Sequence, residues 1–189
     1  MDDKTKVLIA EDEAIIRLDL KEMLEEADFE VVGEASDGDA AVRLAEERAP
    51  DLVIMDIKMP GMDGLSAAEK IAEQGRAAVL ILTAFSQKEL VQRAADAGAM
   101  GYLVKPFQKS ELIPAIDIAL ARHSQMAAIR KEAEDLSEQL ETRKAVDRAK
   151  GKLMDEKKMA EGDAFRYLQK RAMDERRPMR DVAQEVLDG

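Results

Sequence analysis

Cysteine is absent from this 189-residue chain, which rules out both a disulfide framework and a thiolate metal site. A chain without thiols accords with a reducing compartment. Tryptophan is also missing and aromatics make up only 3%, so aliphatic side chains must build the core. No stretch approaches the roughly 18 apolar residues of a membrane span. The opening MDDKTK has no apolar segment of the kind a secretory signal carries. These absences lead to the expectation of a soluble, cytoplasmic protein with no membrane partner. Histidine occurs once, at His123, with no ligand-spaced companion.

What is present is aliphatic and charged in nearly equal measure, 46% hydrophobic and 37% charged. That composition suits a real core surrounded by solvated helical faces. The net charge of −11 hides an asymmetry. From Thr142 onward 13 basic residues face 10 acidic ones, a net of +3, so the first 141 residues carry −14. An acidic body with a mildly basic tail suggests two jobs on one chain.

The first two-thirds alternates short apolar runs with amphipathic stretches. The runs are Val7 to Ala10, Glu30 to Ala35, Leu52 to Met55, Ala77 to Leu82 and Met100 to Val104. They are continuous rather than alternating, as strands of a parallel sheet covered on both faces should be. Between them Ile16, Leu20, Met23, Leu24 and Ala27 form one helical stripe. Further helices are expected from about Ser36 to Arg48, after Gly64, and from about Gln87 to Ala97. Five such units make an α/β fold, a five-stranded parallel doubly wound sheet.

The fifth helix is expected to start near Ser110 as N-cap, with Pro114 tolerated because it lies close to that start. No Gly or Pro follows between Ala119 and Arg143. Met126, Ile129, Ala133, Leu136 and Leu140 step by three and four, a seam whose ends are spoiled by Arg122 and Arg143. Residues 122–141 therefore read either as a plain linker helix or as a candidate coiled coil with a second chain. Beyond Thr142 three short helical patterns follow, centred on Val146, Leu153 and Met154, on Phe165, Leu168 and Ala172, and on Val182, Val186 and Leu187. Gly162 and Pro178 mark the expected joints.

One feature of the body asks for chemistry. The buried run Leu52 to Met55 ends on a carboxylate, Asp56, and the first run ends on Glu11-Asp12-Glu13. In an open α/β sheet the functional crevice lies beyond the carboxyl ends of the strands. If the first and third strands are neighbours, at least three carboxylates meet there, and a hard cation such as Mg²⁺ relieves their repulsion. Thr83 ends the fourth strand and Lys105 the fifth, adding a hydroxyl and an ammonium. Phosphoryl transfer needs that positioning and charge neutralisation, and a carboxylate can serve as its nucleophile. Asp56 is the candidate nucleophile, Glu11 and Asp12 the metal ligands, Thr83 the oxygen donor and Lys105 the cation. Each has a bland alternative when taken alone; the combination at successive strand ends is the specific signal.

The segments VLIAEDE, LVIMDIKMPGMDG, LTAF and GYLVKPF resemble the signatures of the receiver domain of two-component response regulators, over about residues 4 to 121. The resemblance implies that a sensor histidine kinase phosphorylates Asp56. It also implies Mg²⁺ held by Asp12, Asp56, Glu11 and the backbone carbonyl of Lys58, and a switch in which Thr83 moves toward the phosphoryl group while Tyr102 turns inward. Glu11 stands where the family more often has Asp.

A receiver implies an output. DVAQEVLD offers no base-reading face for a helix-turn-helix, whereas Phe165 to Arg180 carries six basic residues against two acidic. On a helix Tyr167, Lys170 and Arg171 share one face, opposite a core stripe of Phe165, Leu168 and Ala172. Such a face suits stacking on unpaired bases, or is simply solvated. AVDRAKGKLM, AFRYLQKRAM and DVAQEVL resemble the ANTAR domain, an RNA-binding three-helix module, over residues 142–189 with a helical lead-in from about 128. Together the two parts resemble the phosphorylation-dependent antitermination regulators of actinobacteria. The resemblance implies binding of RNA hairpins in target transcripts through Arg148, Lys150, Gly151, Tyr167, Lys170, Arg171, Arg176 and Arg177, with a phosphorylation-dependent homodimer doubling the basic surface. Gly151 within a helical pattern suggests a close approach by RNA or a partner helix, or a packing need. The expectation is a regulator rather than an enzyme. A DNA-binding output, a protein-interaction output and a carboxylate-dependent phosphatase are the alternatives, and no second catalytic acid is placed for the last.

Overall fold

The computed structural model of the chain describes residues 4–84 and 88–189. Gln87 of the expected fourth helix, and Phe85 of LTAF, lie outside the described residues. The chain divides into two compact units, one ending at Ala127 and one spanning Ala128–Gly189.

The first unit alternates strands and helices: β1 (Lys6–Ala10), α1 (Ala14–Glu25), β2 (Glu30–Ala35), α2 (Gly38–Arg48), β3 (Leu52–Asp56), α3 (Gly64–Gln74), β4 (Ala78–Thr83), α4 (Lys88–Asp96) and β5 (Gly101–Val104). All strand pairs are parallel, in the order β2-β1-β3-β4-β5. The pleat divides each central strand between two cores. Leu8, Ala10, Val53, Met55, Val79 and Ile81 face one side, packed with Ala41, Ala45, Leu65, Ala68 and Ile71 of α2 and α3. Val7, Ile9, Leu52, Ile54, Leu80 and Leu82 face the other, packed with Leu20 and Leu24 of α1 and with Leu112 and Ile116. Burying both faces explains why β1, β3 and β4 read as unbroken apolar runs.

Two helices begin on aspartates. The Asp37 carboxylate accepts a hydrogen bond from the backbone N–H of Ala40 at 2.7 Å, and that of Asp63 accepts from Ser66 at 2.8 Å. The last helix of the unit, α5 (Lys109–Lys157), is one continuous element of 49 residues that runs on into the second unit. Its start corrects the expected cap. Gln108, not Ser110, precedes the first turn, and its backbone N–H donates to Glu111 at 2.9 Å, one half of a capping box. Pro114 consequently lies in the second turn rather than the first, where its ring leaves the Ser110 carbonyl without its helical N–H. Met126, Ile129, Leu136 and Leu140, the large apolar members of the seam, are each more than half exposed, and Ala133 between them is exposed too.

In the second unit the C-terminal part of α5 packs with α6 (Glu161–Glu175) and α7 (Met179–Asp188). Val146, Ala149, Leu153, Ala164, Leu168, Val182 and Ala183 form its small core. Two expectations fail here. The α5–α6 joint falls at residues 158–160, with Lys158 at φ 54°, and Gly162 lies inside the first turn of α6. Phe165 is exposed while Tyr167 is half-buried against the core. The α6 stripe therefore runs through Ala164, Leu168 and Ala172, one residue earlier than Phe165 would place it.

Candidate functional site

Beyond Ala10 the backbone keeps one more sheet bond, Glu11 N–H to the Ala35 carbonyl at 3.0 Å, which delivers the Glu11 side chain to the carboxyl edge of the sheet. Asp56 is the last residue of β3 and pairs with Leu82. Lys105 is fixed to Thr83 by its own N–H, which donates to the Thr83 carbonyl at 2.8 Å. β1, β3, β4 and β5 thus bring Glu11, Asp12, Asp56, Thr83 and Lys105 to one end of the sheet. Since β1 and β3 are neighbours, the condition for three carboxylates to meet is fulfilled.

Glu11, Asp56 and Thr83 are the buried polar side chains among the described residues. One carboxylate oxygen from each of Glu11, Asp12 and Asp56 lies within 4.8 Å of the others. The Lys105 ammonium donates to Glu11 Oε2 at 2.6 Å and sits 3.2 Å from Asp56 Oδ1. Backbone N–H groups add to this: Ile57 donates to Asp56 Oδ1 at 2.9 Å and Glu13 to Glu11 Oε1 at 3.2 Å. Arg17 donates to the Glu11 carbonyl at 2.5 Å.

Burial pushes the Glu11 carboxyl above its usual pKa, against the opposing pull of Lys105. Asp56 is raised for the same reason, again with Lys105 as the main opposing influence. Burial alone draws the Lys105 ammonium down, but Glu11 and Asp56 together outweigh it and its pKa is raised. Two buried acids thus share one cation. The site holds more negative charge than Lys105 can neutralise.

Asp12, Asp56, Lys58, Thr83 and Lys105 line a cleft of about 590 Å³ that opens at this edge. Asp12 is exposed at its mouth. The return from β3 to α3 is drawn so tight that a Cβ on Gly64 would stand 1.8 Å from the Asp56 carbonyl oxygen, which is why the turn ends on glycine. Tyr102 lies on β5 beside Ile81 with 47% of its surface exposed, outside this cleft. Arg17 and the Ile57 N–H were not legible as contributors. Arg17 reaches back from the first turn of α1 and the Ile57 N–H is main chain after β3, and neither carries a residue signature.

The second unit treats its marked residues differently. Arg148, Lys170 and Arg176 are exposed. Lys150 is held by Asp147 at 3.0 Å and Glu161 at 2.8 Å. Arg171 and Arg177 are both paired with Glu175 and Glu185. Lys157 places its ammonium 5.0 Å from the centre of the Tyr167 ring, a cation–π contact the sequence reading missed. Among the described residues, a Cβ on Gly151 would meet nothing within 4 Å apart from its chain neighbours and the backbone of its own helical turn. No packing need within the unit explains that glycine.

An open parallel sheet with this strand order, and acids and a lysine converging at its carboxyl edge, defines a receiver-type domain. Residues 7–117 match the family described as response regulator receiver domain, residues 134–187 match that described as ANTAR domain, and the chain belongs to the response regulators that join the two. It is 57% identical over 183 residues to the transcriptional regulatory protein PdtaR of Mycobacterium tuberculosis, covering 97% of this chain and 89% of that one. Solved structures agree on the first unit. The signal receiver domain of a modulated diguanylate cyclase from Desulfovibrio desulfuricans G20 matches 66% of this chain and 99% of its own, at TM-score 0.61 and 30% identity. A chain of the CheX-CheY-BeF3-Mg²⁺ complex from Borrelia burgdorferi matches 59% of this chain and 85% of its own, at TM-score 0.57 and 28% identity. Among the described residues no helix is long and apolar enough to cross a membrane.

Proposed function

We propose that this response regulator takes a phosphoryl group on Asp56 from a sensor histidine kinase and, once phosphorylated, binds RNA hairpins so that transcription passes a terminator. The observation that carries the first half is the buried Asp56 carboxylate, 3.2 Å from the Lys105 ammonium and within 4.8 Å of two further acids. An oxygen-only set with one exposed acid fits a divalent cation that keeps several waters. Glu11, Asp12, Asp56 and the Lys58 carbonyl are the proposed ligands of Mg²⁺, which would supply charge neutralisation at the phosphoryl oxygens. The similar structure named as a BeF3-Mg²⁺ complex supports that assignment.

In the transfer an Asp56 carboxylate oxygen attacks phosphorus as the bond from phosphorus to the imidazole nitrogen of the donor breaks. The imidazole leaves with its electron pair and takes a proton. Burial leaves the Asp56 carboxylate poorly solvated, and Lys105 faces the charge that gathers on the new phosphoryl group. Thr83, at the end of the adjacent strand, is the proposed donor to a phosphoryl oxygen, and Tyr102 on the exposed face of β5 is the proposed reporter of its movement. The exposed α5 seam supports a homodimer formed on phosphorylation. The ANTAR match and the similarity to a transcriptional regulatory protein support the output.

Titration of the full chain against labelled hairpin RNA, single-stranded RNA and duplex DNA, with and without Mg²⁺ and acetyl phosphate, tests the reading. Hairpin-selective binding strengthened by acetyl phosphate in the wild type and not in Asp56→Ala is expected. Binding to none of the three in either state would remove RNA as the output. Preference for duplex DNA would replace it with a DNA-binding regulator.

A further inference from the structure

Two of the arginines assigned to RNA are not available cations in this fold. Arg171 donates from Nε to Glu175 Oε1 at 2.8 Å and from Nη2 to Glu185 Oε1 at 2.8 Å. Arg177 donates from Nη1 to Glu175 Oε2 at 3.0 Å and to Glu185 Oε2 at 2.7 Å. The four side chains close into a ring of alternating sign with no net charge. Arg171 and Glu175 stand one turn apart on α6, Arg177 follows the left-handed Arg176 that ends α6, and Glu185 reaches across from α7.

Glu185 has a particular place within the ring. Like Glu175, it takes an N–H from a different guanidinium on each oxygen, so two arginines converge on one anion, but it is the more exposed of the two acids, at 49% against 33%, and it comes from the other helix. The two non-bridging oxygens of a phosphodiester present the same charge at a similar separation to the same pair of forks. The α7 positions that build the core are Val182 and Ala183, with Val186 and Leu187 packed alongside. Glu185 is not among them, and about half of its side chain is in water. All four members stay accessible, with 27–49% of each side chain exposed, so an incoming phosphate can reach them.

We infer that Arg171 and Arg177 form a phosphate-binding clamp for the RNA backbone, and that Glu185 occupies it as an internal phosphate mimic which the RNA must displace. This rests on the RNA reading above and adds a regulatory residue to it. Glu185 sets a threshold: a weak or misplaced anion fails to open the ring, whereas a hairpin that engages the rest of the unit at the same time does. The carboxylate costs affinity and gives selectivity in return.

The test uses the full chain with Mg²⁺ and acetyl phosphate, titrated with a labelled RNA hairpin of randomised loop, with thermal melting alongside. Glu185→Gln keeps the size and a hydrogen-bonding oxygen but removes the competing charge. Its expected effect is tighter binding, about three- to ten-fold, reflecting loss of one like charge beside the RNA backbone. Arg171→Gln and Arg177→Gln are expected to weaken binding and to flatten its dependence on salt. In an Arg171→Gln/Arg177→Gln background, adding Glu185→Gln should give no gain, which isolates the coupling. If Glu185 is only a staple between α6 and α7, Glu185→Gln lowers the melting temperature and weakens binding, and the inference is overturned. Binding by the wild type with no change in Glu185→Gln overturns it equally. Failure of wild type and variant alike to bind any hairpin removes the RNA reading and this inference with it.

Discussion

Glu11 and Asp56 in the first unit are buried and share one lysine, whereas Arg171, Glu175, Arg177 and Glu185 in the second are balanced and partly in water. Both sets are hydrogen-bonded ionic clusters with separations near 3 Å, so geometry alone does not tell them apart. Solvent does. A buried acid that lacks enough countercharge is a fixed cost that only a ligand of the right sign relieves. An exposed ring is weakly bound and exchangeable, because water and salt screen every pair in it. The first arrangement suits a site committed to one reaction, the second a surface that trades an internal anion for an external one.

The comparison breaks most decisively at Asp56. Asp56→Asn is expected to abolish phosphoryl uptake from acetyl phosphate, read as the missing phosphoprotein species in intact-mass spectra. The same variant should melt no lower than the wild type at neutral pH, because burial penalises the charge that Asn removes. A phosphorylated Asp56→Asn chain would move the acceptor elsewhere, and a variant that melts early would show that the carboxylate is held for stability.

Lys105 is next in size. Lys105→Met leaves Glu11 and Asp56 buried without their cation, which costs about 3 kcal/mol at neutral pH. The sign with pH follows from the carboxyl groups. Both have pKa values raised in the folded state, so their contribution is most favourable below the ordinary carboxyl range and is lost as pH rises through the folded value. Without Lys105 they rise further. The gap between variant and wild type in chemical denaturation should therefore close on acidification and open toward neutrality. A gap independent of pH would show that Lys105 acts through packing alone.

At the ring the sign reverses. Glu175 is held below the usual carboxyl range first by its hydrogen bond from Arg171, and Glu185 by those from Arg171 and Arg177. Their contribution is present above the ordinary carboxyl pKa and lost as pH falls below it. A small loss of second-unit stability in acid, erased by Glu185→Gln and Glu175→Gln together, is expected in circular dichroism melts. If acid acts equally on that double variant, the ring carries no measurable stability.

How much of this could be read beforehand follows the same division. Asp56, Thr83 and Lys105 announce themselves because a charge or hydroxyl at the end of a buried apolar run has few structural reasons to be there. The strands were equally legible, since burial on both faces forces unbroken runs such as Leu52 to Met55. Exposed helices carry weaker signals. Phe165 looked like core and is 40% exposed, because the buried stripe enters α6 at Ala164, about 100° around the helix from Phe165, before running on through Leu168 and Ala172. Gly162 looked like a joint, yet residues 158–160 break the helix with Lys158 in the left-handed region. Arg171 with Glu175 is an i,i+4 pair that the sequence could offer, but Glu185 joins them across fourteen residues and depends on how α7 packs on α6. Reading basic residues as free charge fails wherever tertiary packing supplies an acid.

Gly151 gives the smallest effect and separates the two kinds of surface most cleanly. It lies within α5, where glycine costs about 1 kcal/mol against alanine. Among the described residues, no side chain beyond its immediate neighbours and no backbone outside its own turn of α5 lies within 4 Å of the place an added Cβ would take. Gly151→Ala should therefore stabilise the second unit by about 1 kcal/mol in chemical denaturation. If RNA or a second helix approaches the backbone there, the added methyl weakens hairpin binding or dimerisation while the fold gains stability. Opposite movement of stability and binding is the expected result, measured by denaturation, RNA titration and sedimentation on the same preparation. A variant that gains stability and keeps both activities would show that no close approach occurs at this position. Any RNA contact would then rest on the exposed side chains of Arg148, Lys170 and Arg176 without it.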